Sequence, residues 1–270
     1  MLGNLIKYEI QATRRIFLPL YGLILIFACI NKIFIGANYQ KINGVAAMPF
    51  WIAMTVYVLL IAALFVMTLV VLIQRFQKNL LSDEGYLSFT LPVKTHMHLD
   101  AKMIVTVMWT VLSLIVAVLS IFLLAVDSNS LQQMRQGWSY LMRDLEPFGA
   151  SVYGILAEGI VLALLSLAQQ TLHIYLSITI GNFSSKHRLL AAFGVFVGIN
   201  VVEQIVTSLF LNAGIQTSAF RAFFSAGEFN ASTAPAVEGL LGILIAYTLV
   251  FGGVFYFFTN WILSKKLNLE

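Results

Sequence analysis

Six long apolar runs constrain this chain more than any other feature. They extend from Ile16 to Ile35, Phe50 to Ile73, Met103 to Val126, Ile160 to Ile180, Leu189 to Leu211 and Val237 to Leu263. Each reaches the roughly 20 apolar residues that a helix needs to cross the hydrocarbon core of a bilayer. The surroundings offer them no alternative in water, since 60% of the residues are hydrophobic and only 10% charged, against about a quarter charged in soluble domains. The expected fold is all-α, a polytopic membrane protein of about six transmembrane helices in one membrane domain over residues 1–270. A net charge of +4 fits basic loops at a membrane face, and no nucleic-acid partner is expected. The single cysteine, Cys29, excludes an intrachain disulfide.

The segments between the runs carry their own patterns. In residues 1–15, Leu2, Leu5, Ile6 and Ile10 recur at helical spacing with Lys7, Gln11 and Arg14 opposite. That pattern predicts an N-terminal amphipathic helix lying in the membrane interface, with Lys7, Glu9, Arg14 and Arg15 toward the headgroups and membrane lipids as its partners. A basic terminus that only orients the first span is the simpler reading. Cleavage after a secretory signal is not expected, because Glu9 interrupts the basic region and Phe27 is bulky where small residues are usual. Pro19 falls in the first turns of span one, and Pro49 and Trp51 open span two. Asp127 to Pro147 is polar, with Trp138 and Tyr140 suited to a surface position, and Phe148 to Glu158 reads as a lead-in to span four. Residues 213–236 form an outer loop rich in small residues, with an aromatic patch at Phe220, Phe223, Phe224 and Phe229.

Six spans put both termini on one side. With the termini inside, only Lys32, Lys41, Arg135, Arg143 and Arg221 of the sixteen Lys and Arg lie outside. The excess of cations in the remaining segments favours both termini in the cytoplasm.

The longest polar interruption carries the densest charge: residues 74–102, from Gln74 to Lys102, with RFQKNLLSDEGYLSFTLPVKTHMHLDAK running from Arg75. Ser82 can cap a helix whose first turn holds Asp83 and Glu84 at the positive end of the dipole. Gly85 allows close approach of another backbone. Tyr86, Leu87 and Phe89 supply an apolar face, and Leu91-Pro92 ends the helix. Thr95 then starts a helix that runs through Asp100 and Lys102 into span three. Either this is a short cytoplasmic helix joined to a span by a corner, or a solvated loop with a proline turn. His96 and His98 lie two apart, do not face each other on a helix, and are not expected to bind metal.

Two spans carry polar stripes. Ser166, Gln169, Gln170, His173 and Ser177 mark span four; Asn200, Glu203, Gln204, Thr207 and Ser208 mark span five. Such stripes pack inward or line a wet path. Gln170, His173, Asn200, Glu203 and Gln204 are therefore candidates for a substrate path or subunit contact, with interhelical hydrogen bonding as the structural alternative. No His-Glu-x-x-His, Gly-x-Ser-x-Gly or phosphate-binding glycine loop is present, so no catalytic residue is expected in this chain.

The 74–102 loop resembles the cytoplasmic coupling loop of bacterial ABC-type exporter permeases with six spans per subunit. Glu84, Gly85, Leu87, Leu91, Pro92, Val93 and Lys102 carry the likeness, together with Tyr8, Glu9, Arg14 and Arg15 and the six-span layout. The resemblance implies a coupling helix, with Ser82, Asp83, Glu84, Gly85, Tyr86, Leu87, Leu91 and Pro92 seated on a separate ATP-binding subunit that holds ATP and Mg. It further implies a second permease copy or paralogue, a bacterial plasma-membrane location, and export of hydrophobic peptide, antimicrobial or lipid-like cargo. The alternatives are a proton- or ion-coupled secondary transporter using Glu203 and His173, and a membrane sensor or scaffold without transport.

Overall fold

A computed structural model describes residues 2–39, 44–81, 94–146, 149, 151–184, 186–215 and 234–265. The structure is all-helical, with no strand among these residues. Seven helices follow in order: α1 (Leu2–Gly36), α2 (Met48–Leu81), α3 (Thr95–Ala125), α4 (Ser128–Leu145), α5 (Ser151–Gly181), α6 (Arg188–Ile215) and α7 (Ala234–Lys265). All except α4 are long and apolar enough to cross a membrane, and the protein is membrane-embedded. In hydrocarbon a helix satisfies its own backbone groups, which is why apolar runs of this length take that form.

The helices overrun the apolar runs. The amphipathic turns expected in residues 1–15 are helical from Leu2 and continuous with span one, since α1 is unbroken from Leu2 to Gly36 and Pro19 lies in its interior. No glycine or proline interrupts Glu9 to Arg15, and Thr13 bonds back to the Glu9 and Ile10 carbonyls rather than capping a new helix, so the amphipathic turns propagate into the span. Of the lead-in expected over 148–158, Ser151 to Glu158 are helical and continuous with the span, since α5 is one helix of 31 residues from Ser151. The third span starts early, at Thr95, and α2 is entered through Gly44 at φ 83° and a short 3-10 turn over Val45–Ala47. That left-handed backbone suits glycine.

The chain divides into two compact units. The first comprises Met1–Arg75 and Asp100–Gln136, the second Phe76–Leu99 and Gly137–Glu270. In the first, Phe17, Tyr21, Ile24, Leu64, Val105 and Trp109 form a buried cluster. Phe17 stacks on Trp109 at 4.7 Å. Lipid gives helices no apolar reason to associate, so interhelical hydrogen bonds add directional contacts. The indole N–H of Trp109 donates to Thr13 Oγ1 at 2.7 Å, Tyr21 Oη meets Ser113 Oγ at 2.8 Å, and Tyr57 Oη meets Ser120 Oγ at 3.0 Å. Asn31 donates to the carbonyls of Phe27 and Ala53. Lys32 donates to the carbonyls of Leu124 and Val126 at the C-terminal end of α3, where a cation complements the helix dipole.

In the second unit, α6 and α7 both pack on α5. Gln169 meets Glu203 and Gly181 meets Ala192, so α5 and α6 run antiparallel. Gly154 faces Glu238, and His173 faces Phe255, so α5 and α7 run parallel. A Cβ on Gly181 would lie 2.4 Å from the backbone nitrogen of Ala192; only glycine lets α6 begin this close to the end of α5. Phe76 stacks on Tyr175 at 3.9 Å, with both rings fully buried.

Candidate functional site

Two clusters of polar side chains stand out against the apolar background, one in each unit. The first is built on Glu9. Its Oε2 accepts from Arg75 Nε at 2.9 Å and lies 2.8 Å from Arg75 Nη2; its Oε1 accepts from Lys102 Nζ at 2.6 Å. Lys102 also donates to the Arg75 carbonyl at 3.3 Å. The lysine side chain is 6% exposed and the glutamate 16%, so water contributes little to holding these charges. Opposite charges taken out of water together require such geometry, with the remaining polar atoms hydrogen-bonded. Arg75 lies in the last turns of α2 and Lys102 in the first turns of α3, and one carboxylate from α1 ties these two helix ends together.

Sequence reading placed Glu9 with Lys7, Arg14 and Arg15 on an interfacial surface. Lys7, Arg14 and Arg15 are exposed, whereas Glu9 turns inward to a different role. The pattern that pointed there was available: a lone carboxylate among cations, and isolated cations at two span ends, in a chain where charges inside apolar surroundings pair. Ser82, Asp83, Glu84, Gly85, Tyr86, Leu87, Leu91 and Pro92, named as ATPase-coupling residues, lie outside the described residues.

The second cluster joins α5 and α6. Gln169 Nε2 donates to Glu203 Oε1 at 2.6 Å, and His173 Nδ1 lies 3.6 Å from Glu203 Oε2. The His173 side chain is 1% exposed, stacked on Phe196 at 4.6 Å and tilted against Phe255 at 5.2 Å. Its Nε2 is buried without a hydrogen-bond partner among the described residues. One turn beyond Glu203, Thr207 hydrogen-bonds Tyr247 of α7 at 2.5 Å. Of the five candidates on the two stripes, His173 and Glu203 therefore meet. Asn200 stays within its own helix, donating to the Phe196 carbonyl at 3.0 Å. Gln170 and Gln204 are exposed and do not join the cluster. Gln169 occupies the place expected for its neighbour, because successive residues point about 100° apart on a helix.

Glu203 is one of the residues lining an open, almost wholly apolar groove of about 600 Å³. Leu176 and Ile180 of α5 line it, with a stripe of α6 from Val195 to Glu203 and a stripe of α7 from Val250 to Ile262. Glu203 carries the sole polar side chain among the lining residues described. Among the described residues no three His, Cys, Asp or Glu gather to hold a metal ion. The groove offers an apolar surface, while the Glu203 carboxylate is turned to Gln169 and His173.

Compared with protein-family models, curated proteins and solved structures, the chain matches none.

Proposed function

We propose that this chain is the membrane-spanning subunit of an ATP-driven transporter of the ABC exporter type. It pairs with a second permease copy or paralogue in a bacterial plasma membrane and keeps both termini cytoplasmic. A separate ATP-binding chain, holding ATP and Mg, docks on the segment between α2 and α3 and supplies the hydrolysis. The cargo is a hydrophobic peptide, an antimicrobial or a lipid-like molecule. The observation that carries this reading is the Glu9 clamp, which fastens both roots of the proposed docking segment, Arg75 and Lys102, to α1. A push on a segment rooted this way would pass to three helices rather than dissipate in a loose loop. Purification of the tagged protein from its native membrane in mild detergent tests the proposal. A stoichiometric partner with a phosphate-binding loop supports it; a preparation free of any ATPase after gentle cross-linking removes it. Within such a complex, Glu84→Ala is expected to uncouple ATP hydrolysis from transport while insertion is unchanged.

A second reading has its own support. Glu203, a carboxylate within a membrane-spanning helix with His173 beside it, is suited to proton or ion coupling in a secondary transporter. Transport in proteoliposomes driven by a pH gradient without ATP, and abolished by Glu203→Gln, would select this reading over the first.

A further inference from the structure

Two amides of the second unit lie within membrane spans and turn outward. Gln170 of α5 and Gln204 of α6 are both exposed, and neither makes a hydrogen bond among the described residues. Gln204 stands about 24 Å along α6 from Arg188 at about 1.5 Å per residue, with exposed Val201 and Ile205 beside it. Lipid tails neither donate nor accept, so a side chain with two donors and an acceptor has no partner there. Polar groups in such a place face protein or a wet path.

The two amides share one side of the α5–α6 pair. Gln169 and Glu203 mark the line along which these antiparallel helices touch. Gln170 and Gln204 each follow one of those residues and are turned about 100° from that line. On two antiparallel right-handed helices, such turns carry both side chains to the same side. Each also lies about 1.5 Å further along its own helix, in opposite directions, so their depths differ by about 3 Å, within the reach of a glutamine. The other side belongs to α7, since Val202, which precedes Glu203, lines the groove that α7 walls. One turn from the amides, Ser166 and Ser208 are exposed as well. Ala163 and Gly159, about two and three turns before Gln170, continue this face of α5 without bulk, and a Cβ on Gly159 would meet nothing within 4 Å. Small residues let another helix come close.

We propose that a second copy of this chain docks on this face, with Gln170 of each copy hydrogen-bonded to Gln204 of the other. A twofold axis along the membrane normal, passing on this side of the pair, sets α5 of one copy against α6 of the other. Copies inserted in the same direction hold equivalent residues at equal depth, so the amides meet without either leaving its level. An unrelated partner would need a polar group at that same depth, whereas an identical copy already has one. Each amide both donates and accepts, so the contact is self-complementary. The inference deepens the proposed pairing with a second permease by naming the face and an identical partner, and rests on that reading only there; the contact needs neither ATP nor cargo.

The test places the full chain, with one fluorophore at its C-terminus, in phosphatidylcholine liposomes at falling protein-to-lipid ratios. Single-molecule photobleaching counts the copies together. Gln170→Leu, Gln204→Leu and the double variant are each expected to raise the density needed for half-dimerisation about thirtyfold, the effect of two symmetric amide contacts in a membrane. The three losses are equal because the amides are partners, and losing either ends both contacts. Leucine suits a lipid-facing position, so these variants remain inserted. A second measurement keeps both amides. With Cys29 replaced by serine, a chain carrying Ser166→Cys and a chain carrying Ser208→Cys, mixed in one membrane, are expected to form a disulfide-linked dimer on oxidation, and chains carrying Val250→Cys on α7 none. Monomers at every density, a dimer that the three variants leave unchanged, additive losses in the double variant, or crosslinking through Val250→Cys alone would each overturn the proposal. A dimer with the expected properties in a protein that co-purifies with no ATPase would leave the contact standing and remove only the ATP-driven reading.

Discussion

Glu9 has two cationic partners and little water, so its removal takes the carboxylate from two cations at once. Breaking one side of such a buried ion pair costs about 3–5 kcal/mol; Arg75, at 28% exposed, is partly hydrated and brings the expected loss for Glu9→Ala toward the lower figure. The triple variant Glu9→Leu, Arg75→Leu, Lys102→Met is expected to recover most of that loss, because it removes the charges together. Thermal unfolding in detergent followed by circular dichroism measures both; equal damage from the single and the triple variant would show that the charges do not act as a unit. Glu9 also marks what one dimension hides. Its partners lie 66 and 93 residues away, and no local period announces which distant cations a carboxylate will meet. His173 and Glu203 were legible because each sits on a polar stripe within an apolar run. The choice of Gln169 over Gln170 was not, since it depends on the rotation of α5 against α6.

At the scale of elements, the spans were legible from hydropathy, and their true lengths were not. Hydropathy reports where a helix must be apolar, whereas the helix itself continues until a turn or breaker stops it. Hence α1 absorbs the amphipathic start and α5 absorbs its lead-in. The joint between α5 and α6 makes a sharper prediction. Gly181→Ala puts a methyl group against backbone, which cannot rotate away, and is expected to cost about 1–3 kcal/mol. Gly194→Ala, where the added Cβ meets nothing within 4 Å, is the control and is expected to be neutral or stabilising. Comparable losses at both positions would remove close packing as the reason for Gly181. On α4, Leu131, Met134, Trp138, Leu141 and Met142 are all exposed and recur at helical spacing, the pattern of a helix lying in the membrane interface. With the other three tryptophans replaced by phenylalanine, Trp138 fluorescence is expected to be quenched more by lipids brominated near the headgroup than near the tail end. Stronger quenching by the deep label, or none, would move α4 away from the interface.

For the whole molecule, the bilayer does much of the specifying: six apolar runs become six helices because hydrocarbon leaves the backbone no other choice. The division into two units at Arg75 and Phe76 has no counterpart in composition or spacing, because it depends on which helices touch. The proposed orientation can be checked with Cys29, the lone cysteine, replaced by serine. A cysteine at Lys94 is then expected to react with an impermeant maleimide only in inverted vesicles, and one at Gln132 only in right-side-out cells; the reverse pattern would invert the topology. Glu203 lies about 22 Å along α6 from Arg188 at about 1.5 Å per residue, which places its carboxylate inside the bilayer, within the span of the transmembrane voltage. Moving one charge across the full membrane is worth about 2.3 kcal/mol per 100 mV, and a cation that stops part-way experiences the corresponding fraction. A proton or cation that reaches Glu203 from one side crosses part of that voltage, so its occupancy there becomes a function of membrane potential as well as concentration.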